Sequence, residues 1–337
     1  MNPEHDRNSI PRDPQEERVG RTSERHPSGV AAVKPSPFEY HAPDTLAEAS
    51  DLKRRHASEA AVLAGGQSLI PLMASRLRTP QVLIDVKRIP ELRDARRDDG
   101  SLAIGAAVRQ SRLHDDAALA CALGGILAEA ARHIGHIETR HRGTVGGSLA
   151  HADPVAELPV VAVALEADIV VRGAAGGERR VPASEFFVGP RQTELQPDEI
   201  LVEARFRAPA ADLGVAFAEI ARRHGDPAMA TAIALLGVDE AGDVGTAAVT
   251  VGAVAGRPQR ATAVEGALTG GRLTRERIAE ASQAAAELVE PELGAPDPGP
   301  TPHPPEIPLA YRRRLATAVV AEALTKAFAR VKGGNAT

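Results

Sequence analysis

"RHRGTVGGSLAHADPVAELP", residues 140–159, sets two adjacent glycines between a basic pair and an Ala-Asp-Pro turn. Glycines let a backbone approach a ligand and turn its N–H groups inward, and the nearby hydroxyls of Thr144 and Ser148 add donors. That chemistry suits a phosphate. A second stretch repeats it. "AGGQSLIPLMASRL", residues 64–77, puts Gly65, Gly66 and Ser68 between the apolar run "AAVL" and a helical pattern. Ser68 is placed to cap that helix, with Pro71 in its first turn, and a helix N-terminus favours an anion. Neither stretch is the nicotinamide fingerprint, which needs G-x-G-x-x-G between strand and helix and an acidic residue about 20 positions on. Neither has the Gly-Lys-Ser/Thr of a Walker A loop. A dinucleotide bound here would therefore sit on a different fold.

The rest of the chain sets the bounds. A length of 337 residues suggests about two domains. At 43% hydrophobic and 25% charged, the composition supports a sizeable core. With aromatics at 2% and no Trp, that core must be built from Ala, Val, Leu and Ile. A net charge of −5 gives no electrostatic reason to expect nucleic acid or an anionic membrane. The single cysteine, Cys121, lies in "ALACALGGILAEAA" and reads as a buried small residue. One cysteine excludes a disulfide framework and, in this chain alone, a four-cysteine iron–sulfur cluster or a thiolate zinc site. No apolar run nears the roughly 18 residues of a membrane span. The charged N-terminus has no apolar signal core, so a cytoplasmic protein is expected. His133, His136, His141 and His151 are irregularly spaced with no cysteine or carboxylate pattern, and no metal site is expected of them.

Residues 1–35 are polar and Pro-rich, and read as a disordered extension. A first domain is expected over 36–210 and a second over 213–332, divided by the Pro-Ala-Ala-Asp break at 209–212. In the first, "AAVLAGG", "QVLIDV", "SLAIGAAV" and "ILVEARFRAP" read as strands, and apolar spacing predicts a helix over 116–134, weakened locally by Gly124–Gly125. In the second, "VAFAEIARR", "AMATAIALLGVDEAGDV" and "TAAVTVGAV" predict an antiparallel meander, followed by helices near 260–269 and 274–289. A proline-rich linker leads to a last helix with Ala316, Val320, Leu324, Ala327 and Val331 on one face. Three successive arginines, Arg312, Arg313 and Arg314, point in different directions on that helix and are expected at the surface.

Taken in order, "AGGQSLIPLMASRL", "RHRGTVGGSLAHADPVAELP", "SEFFVGPRQTELQPDEIL", "ARRHGDPAMATAIA" and "YRRRLATAVVAEAL" resemble the FAD-binding medium subunit of molybdenum hydroxylases, the group that includes the medium subunits of aerobic carbon monoxide dehydrogenase and xanthine dehydrogenase. The resemblance spans about residues 36–330. It implies an α+β chain: a two-part FAD-binding domain of the vanillyl-alcohol oxidase and p-cresol methylhydroxylase type, then a small C-terminal domain with an antiparallel sheet and helices. By motif, Ala64, Gly65, Gly66, Gln67 and Ser68 would wrap the FAD pyrophosphate. Thr144, Val145, Gly146, Gly147 and Ser148 would form a second wrapping loop. Ile134 and Gly135 fall where the family also touches the cofactor, and Asp153 would accept hydrogen bonds from loop N–H groups or from ribityl hydroxyls.

Three positions depart from the family's pattern. Glu157 stands where Asp is usual, moving an acceptor by one methylene. Arg191, in "FFVGPRQT", stands where a Tyr lies near the isoalloxazine, and would meet either a reduced flavin or a carboxylate on a partner. Glu219 stands where many members have Lys. The function implied is electron transfer: a molybdenum large subunit oxidises the substrate, an iron–sulfur small subunit relays electrons through 2Fe–2S clusters, and this chain's FAD passes them to NAD, a quinone or another acceptor. No catalytic acid or base is then required of this chain. A stand-alone FAD-dependent oxidase or dehydrogenase, and a non-catalytic assembly subunit, are the alternatives. Arg140 and Arg142 are left as either a solvated basic face or a docking point for the iron–sulfur subunit.

Overall fold

A computed structural model describes residues 34–98, 100–173, 177–293 and 307–331. Most of the N-terminal extension and of the proline-rich linker lies outside the described residues. The chain opens with a small parallel sheet in the order β1-β3-β2, made of β1 (Glu39–His41), β2 (Ala60–Leu63) and β3 (Val82–Asp85). Helix α1 (Leu46–His56) connects β1 to β2 and buries Leu46, Ala49 and Leu52. Thr45 caps it, its Oγ1 accepting from the Glu48 N–H at 3.2 Å. The loop after β2 runs into the short helix α2 (Leu69–Ala74).

A five-stranded antiparallel sheet follows, in the order β4-β5-β10-β6-β7. Its strands are β4 (Ala95–Asp98), β5 (Ser101–Gly105), β6 (Asp168–Arg172), β7 (Glu178–Pro182) and β10 (Ile200–Arg207). Strand β10 is central, Ala204 pairing with both Ile104 and Ile169. Between β5 and β6 the chain makes α3 (Arg112–Asp115), α4 (Ala117–Ala120), α5 (Ile126–Ala131), α6 (Ile137–Arg142), α7 (Val145–His151) and α8 (Glu157–Ala164). Between β7 and β10 lie α9 (Ala183–Phe186) and the two-stranded pair β8 (Phe187–Gly189) and β9 (Gln192–Thr193).

The expected meander is present as β11 (Gly214–Ala221), β12 (Ala228–Val238) and β13 (Val244–Gly252), with β14 (Gln259–Arg260) at its edge. Helices α10 (Thr262–Leu268), α11 (Arg275–Ser282) and α12 (Leu309–Arg330) complete the chain. Side chains alternate across this sheet as strand geometry requires. Ala216, Ala218, Ala230, Ala232, Ala234 and Leu236 share a core with α12, which contributes Ala316, Val320, Leu324 and Ala327. The row of alanines lets the helix lie close, which suits a chain poor in aromatics. On the other face, Val215, Phe217, Ile233 and Leu235 join the core of the preceding part, together with Val160 and Val161 of α8.

Four local readings are corrected. The helix expected over 116–134 is broken: Leu123, Gly124 and Gly125 all take positive φ values, of 54°, 71° and 82°. Cys121 ends the first piece and is exposed, not buried. Ser68 stands at the start of α2 but its side chain makes no capping bond. Arg312 is 8% exposed, donating to the carbonyls of Pro291 at 3.0 Å and Val254 at 3.1 Å. A guanidinium tolerates burial when carbonyls fill its fork, and here the segment after β13 and the segment after α11 supply them.

The end of α12 is pinned across the chain. Arg330 donates to Glu129 Oε2 at 2.7 Å and Oε1 at 3.1 Å, and to the Val215 carbonyl at 2.8 Å. Half of this arrangement is open to solvent, so Arg330→Met is expected to cost about 1–2 kcal/mol in urea denaturation. An unchanged midpoint would show that the fork contributes nothing.

Candidate functional site

The two glycine-bearing segments meet. A Cβ on Gly65 would fall on the carbonyl oxygen of Arg142 and lie 2.7 Å from the Gly143 Cα. A Cβ on Gly147 would stand 3.6 Å from that of Ala64. The loop after β2 and the α6–α7 junction therefore touch where neither carries a bulky side chain. Gly66, at φ +74°, turns the first loop at this point.

Their backbone donors differ sharply. The second segment is not a loop: Thr144 is the N-cap of α7, and 145–148 form its first turn. All four of its leading N–H groups are taken. Val145 donates to Val108 O at 2.9 Å, Gly146 to Ala106 O at 2.9 Å and Ser148 to Thr144 O at 3.1 Å. Gly147 donates to Thr144 Oγ1 at 3.0 Å. In the first loop, the N–H groups of Gly65, Gly66, Gln67 and Ser68 have no hydrogen-bond partner among the described residues. Backbone N–H groups left unpaired in a half-buried setting need an outside acceptor, and four in succession suit an anion.

Gly146 is a packing position. A Cβ there would fall on the side chain of Ala106, 2.6 Å from its Cα. Thr144, 1% exposed, holds the turn of α7. Thr144→Ala is expected to cost about 1–2 kcal/mol, read in urea denaturation, with Thr144→Ser restoring most of it. Equal loss in both variants would show that the methyl group matters and the cap does not.

A third segment, unnoticed in the sequence, clamps the second. Gln110 N–H donates to Gly143 O at 3.0 Å and Ser111 N–H to Arg140 O at 3.1 Å, and Arg109 Nη1 donates to the Arg142 carbonyl. Burial, then the nearby guanidinium groups of Arg142 and Arg93, hold Arg109 below its usual value. Nothing in the sequence marks Arg109, because its role rests on a carbonyl 33 residues away.

The remaining expected residues gather where α5, α7 and α8 meet β11. Ile134 is buried and Gly135 has φ +46°. Arg140 Nη1 donates to both their carbonyls, at 3.0 and 2.8 Å, so Arg140 anchors this turn internally. The loop after β11 rests on it, a Cβ on Gly225 lying 2.8 Å from the His136 ring and 3.1 Å from Gly135 O. Asp153 Oδ1 accepts from the Val155 N–H at 3.2 Å, and its Oδ2 lies 3.4 Å from Arg191 Nη2. Arg191, at φ 54°, also donates its N–H to Ala152 O at 3.0 Å. Its cation thus meets a carboxylate of its own chain.

Glu157 opens α8 and is 6% exposed. Burial, then the charge of Glu219, then that of Asp153, push its carboxyl up to about 8. Glu219, with 2% of its side chain exposed, points one oxygen at His133 Nδ1, 3.2 Å away. The sequence marks Glu219 only as a departure from a lysine; its contact with His133 joins residues 86 apart.

Residues 36–208 match the family described as the FAD binding domain in molybdopterin dehydrogenase. Residues 215–327 match the CO dehydrogenase flavoprotein C-terminal domain. The chain is 37% identical to the 6-hydroxypseudooxynicotine dehydrogenase complex subunit alpha of Paenarthrobacter nicotinovorans, over 89% of this chain and 97% of that one. It is 37% identical to the carbon monoxide dehydrogenase medium chain of Hydrogenophaga pseudoflava, over 76% and 88%. Among solved structures, the carbon monoxide dehydrogenase from Hydrogenophaga pseudoflava which lacks the Mo-pyranopterin moiety matches with a TM-score of 0.80 at 37% identity, covering 89% of this chain and 100% of that chain. No described helix is long and apolar enough to cross a membrane. Taken with the α+β architecture and the meeting of its two glycine-bearing segments, these matches show that the chain belongs to the FAD-binding medium subunits of the molybdenum hydroxylase family, flavoprotein oxidoreductases related to carbon monoxide dehydrogenase and xanthine dehydrogenase.

Proposed function

We propose that this chain holds one FAD with its pyrophosphate on the loop 64–68, takes electrons from 2Fe–2S clusters of a small subunit in a complex with a molybdenum large subunit, and passes them to NAD, a quinone or another acceptor. The observation that carries the reading is the row of unpaired N–H groups at Gly65, Gly66, Gln67 and Ser68, pressed against the α6–α7 junction. The residues present fit the group: the loop offers donors without bringing its own anion, and glycines leave the room a diphosphate needs. The flavin supplies the redox chemistry, and the protein positions it and shapes its surroundings.

Roles within the site divide by their bonding. Gly65 to Ser68 donate, with Ala64 shaping the loop's entry. Ser148 and Gly147, both half-buried, present the exposed edge of α7. Thr144, Val145 and Gly146 act by placing that edge, since their backbone donors or packing faces are already engaged. Ile134 and Gly135 wall the flavin end, beside Asp153, Arg191 and Glu157. On this reading residues 36–210 hold the cofactor, and 213–332 form the second, C-terminal domain. The relatives' own names, a complex subunit and a medium chain, support a subunit over a stand-alone oxidase.

A visible spectrum tests the reading. The purified chain is expected to show flavin bands without an iron–sulfur shoulder. A colourless chain that refuses added FAD would sink it. Co-purification with a molybdenum-containing chain tests the assignment to a complex.

A further inference from the structure

Where the C-terminal sheet meets α8, three polar side chains are buried in a hydrophobic surround: Glu219 and Thr231 on the sheet and Glu157 on the helix. Strand alternation puts Phe217 and Glu219 of β11 and Thr231, Ile233 and Leu235 of β12 on that face, since Phe217, Ile233 and Leu235 belong to the core shared with α8. Glu219 and Thr231 are direct cross-strand partners, and Thr231 pairs in turn with Gly252 of β13. A Cβ on Gly252 would fall on the side chain of Val160. Val160 lies one turn beyond Glu157 on α8, so Glu157 stands over this same row.

The polar capacity of the row is unfilled. Glu219 Oε2 and Thr231 Oγ1 are buried with no hydrogen-bond partner among the described residues. Burying a lone carboxylate costs several kcal/mol, and two side by side cost more unless a proton or cation lies between them. The charged and titratable groups that face the row are few. His133, from the end of α5, meets Glu219 Oε1 and packs on Phe217, with its ring centroid 5.0 Å away. His224, from the loop after β11, stands edge-on to His133 at 6.2 Å. Asp153, from the α7–α8 turn, is engaged with Arg191 at 3.4 Å and lies 3.8 Å from His151. His133 is in direct contact with Glu219, and its side chain is 35% exposed.

We propose that Glu157 and Glu219 form a buried acid–carboxylate pair holding one exchangeable proton, which reaches solvent through His133, and that this proton compensates negative charge added in the neighbouring cofactor cradle. The second half rests on the flavin reading given above. The balance is simple. One electron arriving from the iron–sulfur donor adds one negative charge in the cradle. Near and above pH 8, where the pair has given up its proton, that charge is matched by one proton taken from solvent through His133. Well below that pH the proton is already held and no uptake is needed. No covalent bond to carbon forms or breaks. Burial explains the elevated carboxyl of Glu157, and the like charge of Glu219 beside it adds to the effect.

Infrared titration of the flavin-loaded full chain, oxidised and then reduced with dithionite, tests this. A carboxylic-acid C=O band is expected at pH 7 in the oxidised chain, titrating out near pH 8. Reduction should carry the band to higher pH. Glu157→Gln should abolish it. Glu219→Gln should keep the band and move its midpoint down by on the order of one pH unit, because a like charge is gone; a purely structural glutamate would leave the midpoint alone. Carbon-13 glutamate NMR reads the same titration in the unsubstituted chain, should either variant fail to fold. The chain stripped of flavin should show the same band, so a failure of the flavin reading is separable. No carboxyl titrating above pH 6, or a midpoint indifferent to Glu219→Gln, overturns the pair. A midpoint indifferent to reduction overturns its role as counter-charge.

Discussion

Gly65→Ala should yield a folded chain that has lost its flavin. The added Cβ would overlap the Arg142 carbonyl oxygen and come within 2.7 Å of the Gly143 Cα. Both obstacles are backbone, and backbone cannot rotate aside as a side chain can. Arg109, Gln110 and Ser111 hold that backbone in place through three hydrogen bonds, so the loop 64–68 has to retreat. Overpacking of this kind costs roughly 1–3 kcal/mol. If it is relieved by moving the loop, the cost falls on binding, and FAD affinity drops by about 5- to 150-fold. Gly65 is a cleaner probe than Gly146, where a side chain would meet Ala106 inside the protein and disturb folding first. The measurement is the flavin-to-protein ratio after gel filtration, alongside far-ultraviolet circular dichroism. A Gly65→Ala chain that keeps full flavin content would show that the two segments do not jointly hold the cofactor.

Replacing Glu157 by glutamine should stabilise the flavin-free chain, and the gain should grow with pH. In the folded chain the carboxyl is pushed up to about 8, against an ordinary value of 4.5. A carboxyl raised in this way favours folding fully only below the lower value, where both states are protonated. Between pH 4.5 and 8 the unfolded chain ionises and the folded chain does not, so stability drains as pH rises. Each pH unit of that gap is worth about 1.4 kcal/mol, and relaxation around the buried charge reduces the total to roughly 3 kcal/mol. Glutamine keeps the shape and removes the ionisation. Urea denaturation should give variant and parent within about 1 kcal/mol of each other at pH 5, and the variant ahead by roughly 3 kcal/mol at pH 8.5. A difference that does not change with pH would mean that Glu157 is solvated or ion-paired in the folded chain.

Both predictions concern residues that stood out in the sequence, yet each needed the structure for its reason. Gly65 belonged to a glycine pair that suggested a phosphate, and so did Gly146 and Gly147. The pairs look alike as letters. They differ because the first lies in a loop whose N–H groups are unused, and the second lies in a helical turn whose donors are spent on Ala106, Val108 and Thr144. Glu157 and Arg191 were visible as departures from a family pattern. Arg191's pairing with Asp153 and the effect of Glu219's charge on Glu157 were not, because the partners lie far apart in sequence.

What the sequence determined by itself is the local part of the fold. Alternating apolar residues placed β11, β12 and β13 in a meander, and helical spacing put Ala316, Val320, Leu324 and Ala327 of α12 against it. These patterns are legible because each residue's facing direction follows from its neighbours. The tertiary structure alone decided which polar groups are satisfied. Arg312 is buried because two distant carbonyls fill its fork, and Cys121 is exposed because three residues with positive φ break its helix. The loop at 64–68 keeps its donors because no carbonyl of the described residues reaches them. Hydrogen-bond satisfaction and the pairing of buried charges depend on segments that meet only after folding, and no local pattern records them.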